Sequence, residues 1–282
     1  MQQTNRSRHR HITSFQVISL GFLSAILLGS LLLMLPIATK SGQCTSFLDA
    51  LFTATSAVCV TGLVVNDTAT YWSLFGQGVI LLLIQIGGMG IITIAIAIAV
   101  VSGRKIGLMQ RSTMQEAISA PTVGGIVRRT QFIIRTTILI EIIGAVLLAP
   151  VFCRDFGFWK GIWYSLFHSI SAFCNAGFDL IGIRTPFSSL TSYSVQPIVN
   201  LVIMMLIIAG GIGFLTWEDI KNRKWHFKKY RMQSKVIFMV TGILIFLPAL
   251  YFFYFEFSNV PLTERVWVSL FQSVTPRTAG FN

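Results

Sequence analysis

Three stretches of this chain end in small and hydroxyl-bearing residues around one glycine, and these are where its chemistry can reside. The first, Leu51 to Leu63, contains Ser56-Ala57-Val58-Cys59-Val60-Thr61-Gly62. The second, Leu166 to Phe178, contains Ser171-Ala172-Phe173-Cys174-Asn175-Ala176-Gly177 and shares with the first the frame Ser-Ala-x-Cys-x-x-Gly. The third, Leu270 to Phe281, reaches Gly280 one residue sooner, through Thr275-Pro276-Arg277-Thr278-Ala279. None has a histidine or carboxylate in its glycine-bearing part, which argues against a divalent cation, for which charged oxygen ligands are expected. What the three have in common is exposable backbone. Peptide carbonyl oxygens around an axis can replace the hydration shell of a monovalent cation, glycine permits the conformations that aim them inward, and Thr61 and Asn175 carry side chains able to brace that backbone.

Such loops need elements that hold them at depth, and the composition supplies apolar ones. The 282 residues are 54% hydrophobic and 11% charged, with a mean hydropathy of +0.71, far more apolar than a soluble domain. The formal net charge of +12 does not indicate nucleic acid, because the basic residues lie between apolar runs too long for a soluble core. Four cysteines, Cys44, Cys59, Cys153 and Cys174, form no CxxC pair and have no histidine at ligand spacing, so neither zinc nor redox chemistry is supported. A Cys44 to Cys153 disulfide is conceivable; two small apolar side chains are the simpler reading.

Taken in order, Phe15 to Leu35 is uncharged and long enough to span a bilayer, and too long for the apolar core of a leader peptide. Ser46 to Ala57 is too short to span and runs into the first glycine loop, as a re-entrant element would. Trp72 to Val101 spans again. The pattern then recurs: Phe132 to Phe152 as a span ending near Pro150, Trp159 to Ala172 as a re-entrant segment, Val195 to Trp217 as the return, Val236 to Phe257 as a span kinked by Pro248, and Thr263 to Thr275 as a third re-entrant segment. This divides the chain into a first repeat with its N-terminal tail (1–101), a linker with a Gly124-Gly125 pair (102–131), a second repeat (132–217), a basic linker (218–235) and a partial third repeat (236–282). The unit recurs at about a hundred residues, and both return helices carry Gly-Gly-x-Gly, as Gly87-Gly88-Met89-Gly90 and Gly210-Gly211-Ile212-Gly213. Inside uncharged helices these glycines indicate close helix packing, or local bending, rather than a nucleotide loop.

With a cytoplasmic N-terminus, sixteen of the 22 Lys and Arg residues fall inside: those of the tail, those from Arg104 to Arg135, and the cluster Lys221, Arg223, Lys224, Lys228, Lys229, Arg231 and Lys235. Six fall outside: Lys40, Arg154, Lys160, Arg184, Arg265 and Arg277. The bias sets the orientation and opens the re-entrant segments to the outside, where six acids (Asp49, Asp67, Asp155, Asp179, Glu256 and Glu264) balance the cations.

These loops, with Ile86-Gly87-Gly88-Met89-Gly90, resemble the Trk/Ktr/HKT superfamily of potassium transporters, most closely the KtrB-type membrane subunit. The likeness covers nearly the whole chain, and Thr275-Pro276-Arg277-Thr278-Ala279-Gly280-Phe281-Asn282 is its most specific part. It implies an all-α membrane protein of four helix, re-entrant pore loop, helix repeats arranged pseudo-symmetrically around an ion pore. Its implied selectivity filter comprises Cys59, Val60, Thr61 and Gly62; Cys174, Asn175, Ala176 and Gly177; and Arg277, Thr278, Ala279 and Gly280. K⁺ is the implied substrate, with Na⁺ as a possible coupling ion and no bound cofactor; the implied partners are a second copy and a cytoplasmic nucleotide-binding ring. Gly62 is informative because plant relatives that prefer Na⁺ can carry serine there. The chain holds two and a half such repeats, so it reads as an N-terminal fragment and is expected not to conduct alone.

Glu141 lies mid-span in Ile138-Leu139-Ile140-Glu141-Ile142-Ile143; it reads as a structural carboxylate held by a neighbouring helix, with cation binding as the sharper alternative. Arg277 reads as an anchor of the third loop through an acid, Glu264 or Asp179, and His168 as a polar contact. The cluster from Lys221 to Lys235 suits anionic lipid, with the cytoplasmic ring as the alternative contact. Potassium uptake through the filter is the leading function, with a sodium or unselective cation path second and a poreless membrane subunit of an ion-motive ATPase third. No catalytic pair of an intramembrane enzyme is evident.

Overall fold

The computed structural model describes residues 13–91, 93–95, 107, 112–113, 115–116, 125–183, 185–224 and 226–281. The N-terminal arginines, Arg104, Lys105, Arg111, Gly124, Arg184 and the last part of the expected span to Val101 lie outside these residues. The described elements are helical.

In the first unit, α1 (Ser14–Met34) begins in a capping box: Thr13 Oγ1 accepts from Gln16 N while Gln16 Oε1 accepts from Thr13 N. Its 21 residues reach about 31 Å at about 1.5 Å each. The short α2 (Phe47–Val58) is capped by Ser46 and α3 (Leu74–Met89) by Ser73, each hydroxyl accepting a first-turn N–H. Twelve residues give α2 only about 18 Å, so it enters without crossing. α3 stops earlier than the uncharged run suggests, because Gly90 adopts φ 80°.

The second unit repeats this order as α4 (Ile126–Phe156), α5 (Phe158–Phe173) and α6 (Pro197–Gly211). α4 differs from expectation at both ends: it starts six residues earlier, taking in Arg128 and Arg129, and continues through Pro150 to Phe156. A proline deletes one N–H and crowds one carbonyl, and this long, well-packed helix absorbs that without ending. α7 (Phe214–Arg223) leaves α6 at a bend of 96°, so the expected straight return of Val195 to Trp217 is broken. The third unit comprises α8 (Met232–Tyr251), continuing as a π turn through Phe252–Glu256 just beyond Pro248, and α9 (Leu262–Val274).

Among the described residues three helices are long and apolar enough to cross a membrane, Ser14–Met34, Ile126–Phe156 and Met232–Glu256, and the bent α6–α7 pair makes a fourth if it is taken as one span. The burial pattern is that of a multi-pass membrane protein. Phe152, Phe167, Phe178 and Tyr193 are fully buried between helices, whereas Leu28, Leu139, Val146, Met239 and Phe246 stand exposed on the outside, where lipid replaces water as solvent. Helices pack within each unit, α4 against α5 most extensively, and α3–α5 and α6–α9 contacts join successive units. All four cysteines are free, so Cys44 and Cys153 are not bridged.

Candidate ion-coordinating loops

Each short helix ends by turning its next N–H groups back onto itself. After α2, Cys59 N donates to Thr55 O (2.8 Å), Val60 N to Ala57 O (3.3 Å) and Thr61 N to Ser56 O (2.9 Å). After α5 the corresponding bonds are Cys174 N to Ile170 O (2.9 Å), Asn175 N to Ala172 O (3.1 Å) and Ala176 N to Ser171 O (2.7 Å). Val60 and Asn175 are both left-handed (φ 58° and 60°), as are Gly62 and Gly177 (φ 77° and 73°). The two loops with the shared Ser-Ala-x-Cys-x-x-Gly frame thus share one backbone course as well. The third differs, as its missing residue requires: Thr275–Arg277 forms a single 3₁₀ turn, and the N–H groups of Ala279 and Gly280 both donate to Thr275 O at 3.1 Å. It nevertheless ends in a left-handed Gly280 (φ 69°).

Hydroxyls brace the loops from behind. Thr61 Oγ1 donates to Ser56 Oγ (2.8 Å), Ser171 Oγ to Phe178 O (2.7 Å) and Thr275 Oγ1 to Phe281 O (2.8 Å). Sequence reasoning singled out Thr61 but not Ser56, Ser171 or Thr275. The signal was present, since a serine opens the shared frame of the first two loops. Asn175 works in two directions: its Nδ2 donates to Phe173 O (3.4 Å) and its Oδ1 accepts from Thr278 Oγ1 (2.9 Å), joining the second loop to the third.

The loops meet at their glycines in a fixed sense. A Cβ on Gly62 would overlap the carbonyl oxygen of Ala176, and one on Gly177 would overlap that of Ala279. In both cases the glycine of one loop faces the carbonyl of the residue preceding the glycine of the next. A Cβ on Gly280 would meet nothing within 4 Å among the described residues. Among the twelve positions expected at the site, Gly62, Asn175, Ala176, Gly177, Thr278 and Ala279 therefore make the contacts between loops, while Cys59 is exposed and Cys174 is buried behind its loop. Arg277 is not held by an acid: its Nη2 donates to Thr241 Oγ1 on α8 (3.2 Å), and it forms no ion pair among the described residues. The loop takes it to α8, away from Glu264 on the exposed first turn of α9.

The repeated Gly-Gly-x-Gly strings have separable roles. A Cβ on Gly87 would overlap the carbonyl of Val58, and one on Gly210 that of Phe173, the last residues of α2 and α5. The first glycine of each string lets a return helix pass over the end of a short helix. The last glycine bends the chain, Gly90 at φ 80° and Gly213 at φ 79°. Packing and bending are thus both present, at different positions.

Glu141 is buried behind the second loop, where Gln85 Nε2 of α3 donates to both its oxygens (3.0 and 3.1 Å). Cys174 Sγ lies 4.0 Å from Glu141 Oε1 and 3.9 Å from Gln85 Oε1, and Ser169 Oγ donates to the Glu141 carbonyl (2.6 Å). His168 is fully buried: its ring bridges Tyr164 O at Nδ1 (2.7 Å) and Leu180 N at Nε2 (3.3 Å), so the proton resides on Nδ1. Beyond the loops, Asp67 Oδ2 accepts from Thr70 N and Oγ1, and its Oδ1 accepts from Phe187 N (3.1 Å). Burial of Asp179 pushes its carboxyl up to about 6, the Ile181 N–H opposing this and Asp67 adding to it.

The sequence that carries these loops is similar to those of known proteins. The profile of the family described as "TrkH: Cation transport protein" matches residues 2–282. The chain belongs to this family. The TrkH family is one of cation transport proteins, not enzymes. Among similar relatives, "Ktr system potassium uptake protein B" of Bacillus subtilis (strain 168) is 44% identical over 274 residues, covering 95% of this chain and 60% of that protein. "Potassium/sodium uptake protein NtpJ" of Enterococcus hirae is 42% identical over 278 residues, covering 96% and 60%. "Ktr system potassium uptake protein B" of Vibrio alginolyticus is 35% identical over 275 residues, covering 95% and 59%. The chain thus spans about 60% of the length of these relatives.

Proposed function

We propose that this TrkH-family chain carries the filter of a potassium uptake protein, in which K⁺ is stripped of water and held by backbone carbonyls of Cys59 to Gly62, Cys174 to Gly177 and Arg277 to Gly280. The observation that supports this reading is the repeated abutment of Gly62 on Ala176 O and of Gly177 on Ala279 O. It brings peptide oxygens of successive loops to one locality without any carboxylate, the chemistry a weakly hydrated monovalent cation requires. The names of the B. subtilis and V. alginolyticus relatives agree in the ion.

The chain's remaining assignments follow from this reading. The protein resides in the cell membrane with its N-terminus inside, as the distribution of Lys and Arg directs. Its first (1–101), second (132–217) and partial third (236–282) repeats contribute one loop each to the pore, joined through the linkers 102–131 and 218–235. It works as a homodimer with a cytoplasmic nucleotide-binding ring, and Na⁺ is the candidate coupling ion, a view to which the name of the E. hirae relative adds. The test is rubidium uptake into liposomes containing the protein as its host produces it. Uptake competed by K⁺ and far less by Na⁺ is the expected result; equal competition by both ions would replace K⁺ selectivity with an unselective path.

A further inference from the structure

A second site lies at the other end of α4. Its first turns and α7 enclose a cavity of about 740 Å³, lined by Arg128, Arg129, Arg135 and Lys221 with Glu218 as its one acid. Glu218 is already engaged: one oxygen accepts from Arg129 Nε (3.1 Å) and the other from Arg231 Nη2 (2.8 Å). Arg128, Arg135 and Lys221 have no acidic partner among the described residues; Lys221 Nζ instead sits 4.4 Å over the Phe132 ring. Arg129, paired with Glu218, forms one wall of this cavity. The cavity therefore offers the guanidinium groups of Arg128 and Arg135 and the ammonium of Lys221 to a group with multiple anionic oxygens. A phosphate ester is such a group.

The same helix indicates what carries it. Along α4 the lining changes from Arg128 through Arg135 to Leu139, about 16 Å of helix, and exposed Ile138, Leu139, Ile142 and Ile143 continue outward from there. Charge at one end and a lipid-facing apolar stripe at the other is the profile of an amphiphile. We propose that this cavity seats the phosphate of an anionic phospholipid, with the acyl chains lying along the exposed stripe of α4.

The test compares the purified protein in phosphatidylcholine nanodiscs with and without phosphatidylglycerol, following thermal unfolding and lipid retention. Phosphatidylglycerol raises the midpoint of the native protein, whereas the Arg128→Gln/Arg135→Gln variant, which breaks no ion pair among the described residues, loses the rise and retains the lipid about thirty-fold more weakly. Lys221→Gln gives a smaller loss by the same measure and serves if the double variant is poorly made. Lys228→Gln/Lys229→Gln removes the same charge outside the cavity and keeps the rise. An undiminished rise in the cavity variants, or an equal loss in the Lys228/Lys229 control, overturns the site. Inorganic phosphate or glycerol 3-phosphate raising the midpoint as much as phosphatidylglycerol overturns the lipid as its occupant.

Discussion

Gly62 stands directly against the carbonyl oxygen of Ala176, across two loops that are far apart in the chain, and no side chain fits between them. It is also left-handed, at φ 77°, so any L residue is strained there as well as obstructed. A Gly62→Ser change must push the first loop away from the second. Lower preference of uptake for K⁺ over Na⁺ is expected, with folding retained. Rubidium influx measured with competing Na⁺ checks it, and unchanged selectivity would remove Gly62 from the filter.

The first glycines of the two return helices make a matched pair of stability tests. Gly87→Ala and Gly210→Ala would drive a methyl into the carbonyls of Val58 and Phe173, forcing a helix shift that costs about 1–3 kcal/mol. Gly78→Ala and Gly211→Ala meet open space and should be neutral or gain up to about 1 kcal/mol from helix propensity. Thermal unfolding of the four variants separates these outcomes. Equal effects in both pairs would mean that the close approach is not what the glycines provide.

Gln85 and Glu141 should be energetically coupled. Removing the donor with Gln85→Leu leaves a buried carboxylate without its partner and destabilises by about 1–3 kcal/mol. Glu141→Gln keeps an acceptor and should be much milder. In a double-mutant cycle with Glu141→Leu and Gln85→Leu, a coupling near zero would show that the two side chains merely lie close.

Asp179 sets a pH dependence of known sign. Its carboxyl is raised from 3.8 to about 6 in the folded protein, so folding favours its protonated form. The contribution is fully present below about pH 4 and is lost as pH rises through about 6, on the order of 3 kcal/mol in all. Asp179→Asn, which keeps the oxygen that accepts from Ile181 N, should therefore gain on the native protein as pH rises from 5 to 7. A midpoint difference that does not change with pH would refute this.

Much of the architecture was legible in the sequence, for an identifiable reason. Mainly apolar runs of given length can do little but cross or half-enter a bilayer, so α1, α2, α5, α8 and α9 fall within a few residues of where hydropathy sets them. Helix ends inside apolar runs were not legible. Gly90 and Gly213 interrupt helices that hydropathy reads as continuous, whereas Pro150 fails to interrupt α4. Hydropathy reports the solvent around a segment and carries no term for local φ or for neighbours that hold a proline in place.

The amino-acid sequence by itself determined that three glycine loops recur behind short helices, because each residue's backbone freedom and polarity are properties of its type. It also identified the family, through Thr275 to Asn282 above all. Only the tertiary structure decided which groups those loops meet: Gly62 with Ala176, Gly177 with Ala279, Asn175 with Thr278, Glu141 with Gln85, and Arg277 with Thr241 rather than an acid. Partners so far apart in the chain are selected by how whole helices pack, and that is a sum over many weak contacts which no single motif encodes.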